Sequence, residues 1–221
     1  MKIAAFFDFD ETLIDTNSSK IGFTWLYEND LLSKRFLLKI ILTGFFYKLG
    51  LLSEKRMAYS LIKFYKNKEL TFFAAQADDF YHNLLKPRLI PGTIERLKFH
   101  KNEGHYLVIA SGSIRYYLEP AADDLGFDNI VCTDLEYGPD GLLTGRPVGQ
   151  ICIGDYKREL AEQLAKKEKI DLRKSFAYGN NGADIPLLKL VGNPVAVQPS
   201  SRLRRLAQKH NWPIIEISKD N

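Results

Sequence analysis

Four short stretches of the chain hold residue types that could do chemistry together. FFDFDETL contains Asp8, Asp10 and Thr12, IASGS contains Ser111, Gly112 and Ser113, GDYK contains Lys157, and AYGNNGAD contains Asn180, Asn181 and Asp184. Each piece alone has a bland reading. Two acids one residue apart arise by chance or cap helices, Ser-Gly-Ser is ordinary turn chemistry, and a lone lysine at a helix start is usually a surface residue. Their shared setting carries more weight: each follows an apolar run or opens a helix. The chemistry that suits the set is phosphoryl transfer through a covalent aspartate. One carboxylate attacks phosphorus; a second, two residues on, protonates the leaving oxygen and then deprotonates water. A dianionic phosphate would be repelled by both acids unless a cation bridges them, and Mg²⁺ suits carboxylate, carbonyl and phosphate oxygens. Ser111, the backbone N–H groups that follow it at Gly112, and Lys157 would hold the remaining phosphoryl oxygens.

For these groups to meet, strands must deliver them to one edge. Residues 3–8, IAAFFD, are a continuous apolar run ending in an acid, the pattern of a buried parallel strand. HYLVIAS and SFAYGN repeat that pattern, and helices such as TIERLKFHKNEG and KRELAEQLAKKEKI lie between the strands. From about residue 17 to residue 85 the texture is helical throughout, with Asn17 or Ser18, Ser53 and Thr71 as helix openers. LEYGPDGLLTGRPVG reads as a hairpin around Pro-Asp-Gly. The expectation is an α/β protein: a Rossmann-like parallel core over residues 1–15 and 89–221, with an all-helical cap inserted over residues 16–88. In such sheets ligands bind beyond the carboxyl ends of the strands, where these polar groups collect.

The four stretches, taken in order, resemble the motifs of the haloacid dehalogenase superfamily, and the resemblance covers essentially the whole chain. The helical insert directly after the first motif is similar to the cap of the phosphoserine-phosphatase-like branch. The resemblance implies Asp8 as nucleophile, Asp10 as acid/base and backbone-carbonyl metal ligand, and phosphate binding by Ser111, Gly112 and Lys157. It also implies an Mg²⁺ site walled by Asp8, Asp10, position 180 and Asp184. Two departures stand out. Phosphoserine phosphatases carry a cap glutamate for the substrate's amino group where this chain has Asn17, and the cap has no match to their carboxylate-binding arginine, though Arg56 lies nearby, so phosphoserine is not the expected substrate. The fourth motif usually begins Gly-Asp, whereas here position 180 is asparagine. An amide oxygen can still coordinate Mg²⁺ but brings no charge, so the expectation is an active phosphatase with weakened metal affinity. The alternatives are a catalytically silent binding protein, a phosphomutase, or a lipid-phosphate phosphatase whose cap rests on a membrane.

Composition bounds the partners. With 221 residues, 45% hydrophobic and 26% charged, the chain suits a soluble globular enzyme acting on a phosphorylated small molecule. A net charge of +4 is too mild to argue for nucleic acid, and Arg202, Arg204, Arg205 and Lys209 read as a solvated helix face. Cys132 and Cys152 sit in apolar runs and read as small buried hydrophobes, and with no leader pattern a reducing cytoplasm is expected. Residues 35–52, RFLLKIILTGFFYKLGLL, are too broken by charge to span a bilayer. Two readings remain for them, a buried cap helix, which is favoured, or a helix resting on a membrane surface. The four histidines show no ligand spacing and read as surface or helix-end residues, while Trp25, Tyr27, Phe64 and Tyr65 read as core or interface. Nothing in the sequence fixes the oligomeric state.

Overall fold

The computed structural model describes residues 1–216, so the expected frayed tail at 218–221 lies outside the described residues. The chain opens with β1 (Ala4–Phe7), four buried residues whose side chains alternate between the two faces of a sheet. It then enters the helical insert: α1 (Ser18–Glu28), α2 (Lys34–Lys48), α3 (Glu54–Ile62), α4 (Leu70–Ala74) and α5 (Ala77–Phe80). The last of these continues through a π turn and a 3₁₀ turn to Arg88. The side chains of Asn17, Ser33 and Ser53 accept hydrogen bonds from the amides of Lys20, Phe36 and Arg56, capping the first three helices. The expected opening at Thr71 is corrected: α4 starts one residue earlier, after Glu69, with no side-chain cap.

Leaving and re-entering chain run side by side. Ile14 bridges Leu89 in antiparallel fashion, with the Asp15 amide donating to the Arg88 carbonyl and the Ile90 amide to the Leu13 carbonyl, each at 2.9 Å. Beyond this zip the alternation resumes: α6 (Pro91–Asn102), β2 (Tyr106–Ile114), α7 (Arg115–Leu125), β3 (Asn129–Thr133), the antiparallel hairpin β4 (Leu135–Tyr137) and β5 (Leu143–Pro147), then α8 (Asp155–Glu168). β6 (Phe176–Gly179), α9 (Ile185–Leu188), β7 (Asn193–Val197), α10 (Ser201–Lys209) and β8 (Ile214–Ile215) follow. The strand order is β3-β2-β1-β6-β7-β8, every pairing parallel, as the sequence led one to expect.

Successive strands are added leftward from β1 to β3 and rightward from β6 to β8, so the strand order reverses between β1 and β6, the switch point where such folds open a crevice. Register does the positioning. Phe7 pairs with Ile109 on one side and Tyr178 on the other, so Asp8 and the loops after β2 and β6 end at one level. The insert packs on the α7 face: Phe64, Tyr65 and Phe73 join Tyr116 and Tyr117 in one buried cluster, and the Tyr65 hydroxyl lies 2.6 Å from that of Tyr116. The hairpin grips the same region through hydrogen bonds from the Asn67 amide to the Leu143 carbonyl and from the Leu143 amide to the Lys68 carbonyl.

Three expectations change. α2 is not a buried helix: only Phe36, Leu37 and Ile40 pack inward, while Leu38, Ile41, Leu42, Phe45, Phe46 and Leu49 are exposed. Its apolar residues run all round because one side meets the body and the other meets solvent. Tyr27 is also exposed, whereas Phe64 and Tyr65 are buried and Trp25 packs edge-on to Phe80. His100, in the last turn of α6, is fully buried rather than superficial. Its Nε2 lies 2.8 Å from the Tyr178 hydroxyl and its Nδ1 2.8 Å from Nδ1 of His105. Both cysteines are buried and unpaired, and the arginines of α10 line a largely exposed face.

Candidate active site

At the mouth of the β1/β6 crevice one buried lysine ties two strand ends together. Lys157, in the first turn of α8, donates to Asp8 Oδ1 at 2.9 Å and to Asp184 Oδ1 at 2.7 Å, and all three residues are buried. Burial alone would lower the lysine's pKa, but the charges of Asp184 and Asp8 outweigh it and hold the ammonium firmly charged. Asp8 is pushed up to about 8, first by burial and then by the Asp184 charge, against the pull of Lys157. Its second oxygen accepts from the Thr12 hydroxyl at 3.2 Å. The Asp8 carboxyl is thus held from both sides where an attacking group must point.

Asp10 is tethered differently. One oxygen accepts from the Ser18 amide at 2.5 Å and the other from the Ser113 hydroxyl at 2.8 Å. Ser18 Oγ in turn lies 3.0 Å from Ser113 Oγ, so the first residue of α1, the end of β2 and the second acid form one polar knot. Burial raises the pKa of Asp10 and the hydrogen bonds from Ser18 and Ser113 oppose it. A carboxyl poised upward in this way suits a group that gives and retakes a proton.

The loop after β6 is organised around Asp184. Its Oδ2 accepts from the amides of Asn180 and Asn181 at 3.1 and 3.2 Å. Gly179 makes this possible, because a Cβ there would lie 2.6 Å from Asp184 Cβ. Asn180 donates through Nδ2 to Glu11 Oε2 at 2.8 Å, which fixes the amide and leaves its buried Oδ1 without a hydrogen-bond partner. An orphaned amide oxygen beside acidic groups is the kind of oxygen donor that a hard cation takes. Among the described residues no three acidic, histidine or cysteine side chains close on one point by themselves. The donor set nonetheless fits Mg²⁺, which takes amide, carbonyl, carboxylate and water oxygens together.

Ser111 is buried, with its Oγ accepting from the Ser113 amide, and Gly112 is anchored through its carbonyl to the Thr133 hydroxyl. A cavity of about 130 Å³ is lined by Asp8, Asp10, Ser111, Gly112, Lys157 and Asp184, so these six expected residues share one space. The seventh expected residue, Asn180, is not in the lining, although Asn181 and Ala183 of the same loop are. Sequence reasoning missed the wall opposite. Glu54, Met57, Ala58 and Leu61 line the cavity at spacings of three, four and seven, one face of α3. It also missed Glu11 and Ser18, although Glu11 lay inside the first motif. Glu54 gave no signal, because its arrival depends on how α3 docks. Asn17 lines the mouth as well, but its side chain is spent on capping α1; Arg56 is exposed and lies outside the lining.

A parallel sheet with a strand-end aspartate, a second acid two residues on and a buried lysine defines an enzyme class that handles phosphoryl groups through a carboxylate. The chain belongs to the haloacid dehalogenase-like hydrolase family, which matches residues 5–189. It is 30% identical to the inhibition of morphological differentiation protein of Streptomyces azureus, over 99% of this chain and 79% of that one. Among solved structures, a protein of unknown function from Bordetella pertussis Tohama I superposes with a TM-score of 0.87 at 24% identity, covering 97% of this chain and 98% of that one. A phospho-aspartyl intermediate analogue of phosphoserine phosphatase gives 0.68 at 23%, covering 100% and 95%. Mg²⁺ dependence is a trait of the family. No helix among the described residues is long and apolar enough to cross a membrane.

Proposed function

We propose that the protein is an Mg²⁺-dependent phosphomonoester hydrolase whose core comprises residues 1–15 and 89–221 and whose cap comprises residues 16–88. The observation that carries this reading is the buried Asp8–Lys157–Asp184 bridge at the switch point, with Asp10 two residues away and hydrogen-bonded on both oxygens. Asp8 attacks phosphorus and the ester P–O bond breaks, while Asp10 gives its proton to the departing oxygen. Water then attacks the aspartyl-phosphate, Asp10 takes the water's proton, and inorganic phosphate leaves with Asp8 restored. Lys157, the Ser111 hydroxyl and the Gly112 amide hold the non-bridging oxygens. Asp8, the Asp10 carbonyl, Asn180 Oδ1 and Asp184 would hold the metal, which supplies charge that makes two acids and a phosphate compatible in one crevice.

Selectivity falls to the α3 face. Glu54 has no ion-pair partner among the described residues, and burial, with Asp184 and Glu11, raises its pKa. An acid there favours a substrate carrying an ammonium group, with Met57, Ala58 and Leu61 taking its carbon chain. Asn17 counted against phosphoserine, and Glu54 answers that point from another helix, while Arg56, exposed and outside the lining, still counts against a substrate carboxylate. The test is steady-state phosphate release from an aryl phosphate and from paired aminoalkyl and alkyl phosphates, across an Mg²⁺ titration. Wild type should turn over and prefer the aminoalkyl ester, and Glu54→Gln should erase that preference without loss on the alkyl ester. No turnover of any phosphate ester by folded wild type would overturn the hydrolase reading.

A further inference from the structure

The outer face of α2 has no place in this chemistry. Leu38, Ile41, Leu42, Phe45, Phe46 and Leu49 recur at the spacing of a single helical stripe, and each is 46–58% exposed. Leu51, on the turn that follows, is exposed as well. Soluble monomers scatter such residues singly, and a continuous stripe along a fifteen-residue helix marks a surface that something covers.

Charge says what covers it. Residues 31–53 contain Lys34, Arg35, Lys39 and Lys48 and no acid at all; the nearest acids, Asp30 and Glu54, lie outside the helix. Lys34, Arg35 and Lys39 are exposed beside the stripe. A second copy would bring only cations against these cations, whether the two helices ran parallel or antiparallel, with no acid on the stripe to answer them. A sheet of anionic headgroups over an acyl layer answers both properties at once: phosphates meet the lysines and arginine, and the leucine and phenylalanine side chains enter the acyl boundary. At fifteen residues the helix is too short to span, so it would lie in the interface plane.

We propose that this face of α2 is a docking surface for anionic phospholipid bilayers. The turn after α2 leads directly into α3, whose first residue, Glu54, lines the catalytic cavity, so docking brings the mouth of the site close to the membrane plane. The proposal stands independently of the substrate.

Co-sedimentation of the full chain with vesicles tests it, using phosphatidylcholine alone and phosphatidylcholine mixed with phosphatidylglycerol. Wild type should pellet with the anionic vesicles only, and less as salt rises. Leu42→Ser with Phe45→Ser should weaken binding at least about tenfold. The charge-removing set Lys34→Gln, Arg35→Gln and Lys39→Gln should abolish the preference for anionic lipid. Ile41→Glu, which places an anion in the stripe, should also release the protein. Melting temperature and phosphatase turnover in solution should be unchanged in all of these, since no altered side chain touches the crevice. Failure of wild type to bind anionic vesicles, or equal binding by every variant, would overturn the proposal. So would a dimer in sedimentation velocity that Leu42→Ser with Phe45→Ser dissolves while no vesicle binding occurs.

Discussion

The catalytic crevice and the outer face of α2 reverse the usual distribution of polarity. In the crevice, charged groups are buried and nearly every polar atom has a partner: Asp8 with Lys157 and Thr12, Asp10 with Ser18 and Ser113, Asp184 with Lys157 and two amides. On α2, large apolar side chains stand about half exposed to solvent, outside the buried core. Substitutions in the crevice must therefore propagate through shared partners, whereas those on α2 should act one at a time. Function in the first region is written as mutual constraint, and in the second as unspent surface.

The sharpest break would come at Asp8. Asp8→Asn should cut turnover by at least about a thousandfold while leaving urea stability equal or higher, because the replaced carboxyl is held above its ordinary pKa by burial and Asp184. A variant that kept its activity would detach this site from the chemistry. Lys157→Met should do the reverse to stability, costing about 3–5 kcal/mol in urea denaturation, because Asp8 and Asp184 are left buried and unpaired. A loss below about 1 kcal/mol would mean that the buried acids find protons or water with ease.

The buried histidine network gives a smaller effect. Burial first, then His105 and Arg96, lower the pKa of His100 to about 4, so it is neutral in the folded state and protonates in the unfolded chain below its ordinary value. Stability from this residue is complete above about pH 6.5 and is lost as pH falls toward 4, by about 2 kcal/mol between pH 7.5 and 5. Thermal melts of wild type and His100→Gln at those two pH values check it, and the variant should show the smaller drop. Asn180→Asp should lower the Mg²⁺ needed for half-maximal rate several-fold. It should also lower the metal-free melting temperature, because the new carboxylate would face Glu11 where an amide now donates. The smallest change belongs to α2. Phe45→Ser should alter stability by no more than about 0.5 kcal/mol, and a larger loss would show that this face is packed in solution.

Much of this was legible before any coordinates. Apolar runs ending in Asp8, Ser111 and Asn180 announced parallel strands, and parallel strands in alternation with helices leave one edge for their polar ends. Ser53 capping α3 and the Pro-Asp-Gly hairpin were local signals and read correctly. The misses depended on tertiary placement. Hydrophobicity gave no means of telling a helix buried all round from one with a wet apolar stripe, since both read RFLLKIILTGFFYK. Glu54 reaches the cavity only because α3 docks beside β5, and Glu11 meets Asn180 across most of the chain's length. Burial of His100 came from Phe7, Phe176 and Tyr178 closing around it, contacts with no local signature.

The antiparallel bridge between Ile14 and Leu89 has one more consequence. Everything between residues 16 and 88 leaves the core and returns at a single point, with its two ends already hydrogen-bonded to each other. To the sheet this segment is one long loop with a fixed base, and changing its length or content alters closure entropy only logarithmically while the strand register stays as it was. Asp8 and Lys157 come with the core, the Ser18 amide that holds Asp10 comes with the insert, and the proposed substrate selection and membrane docking would travel together in that insert. A lineage could therefore redirect this enzyme to a new molecule or a new location without renegotiating the carboxylate that does the work.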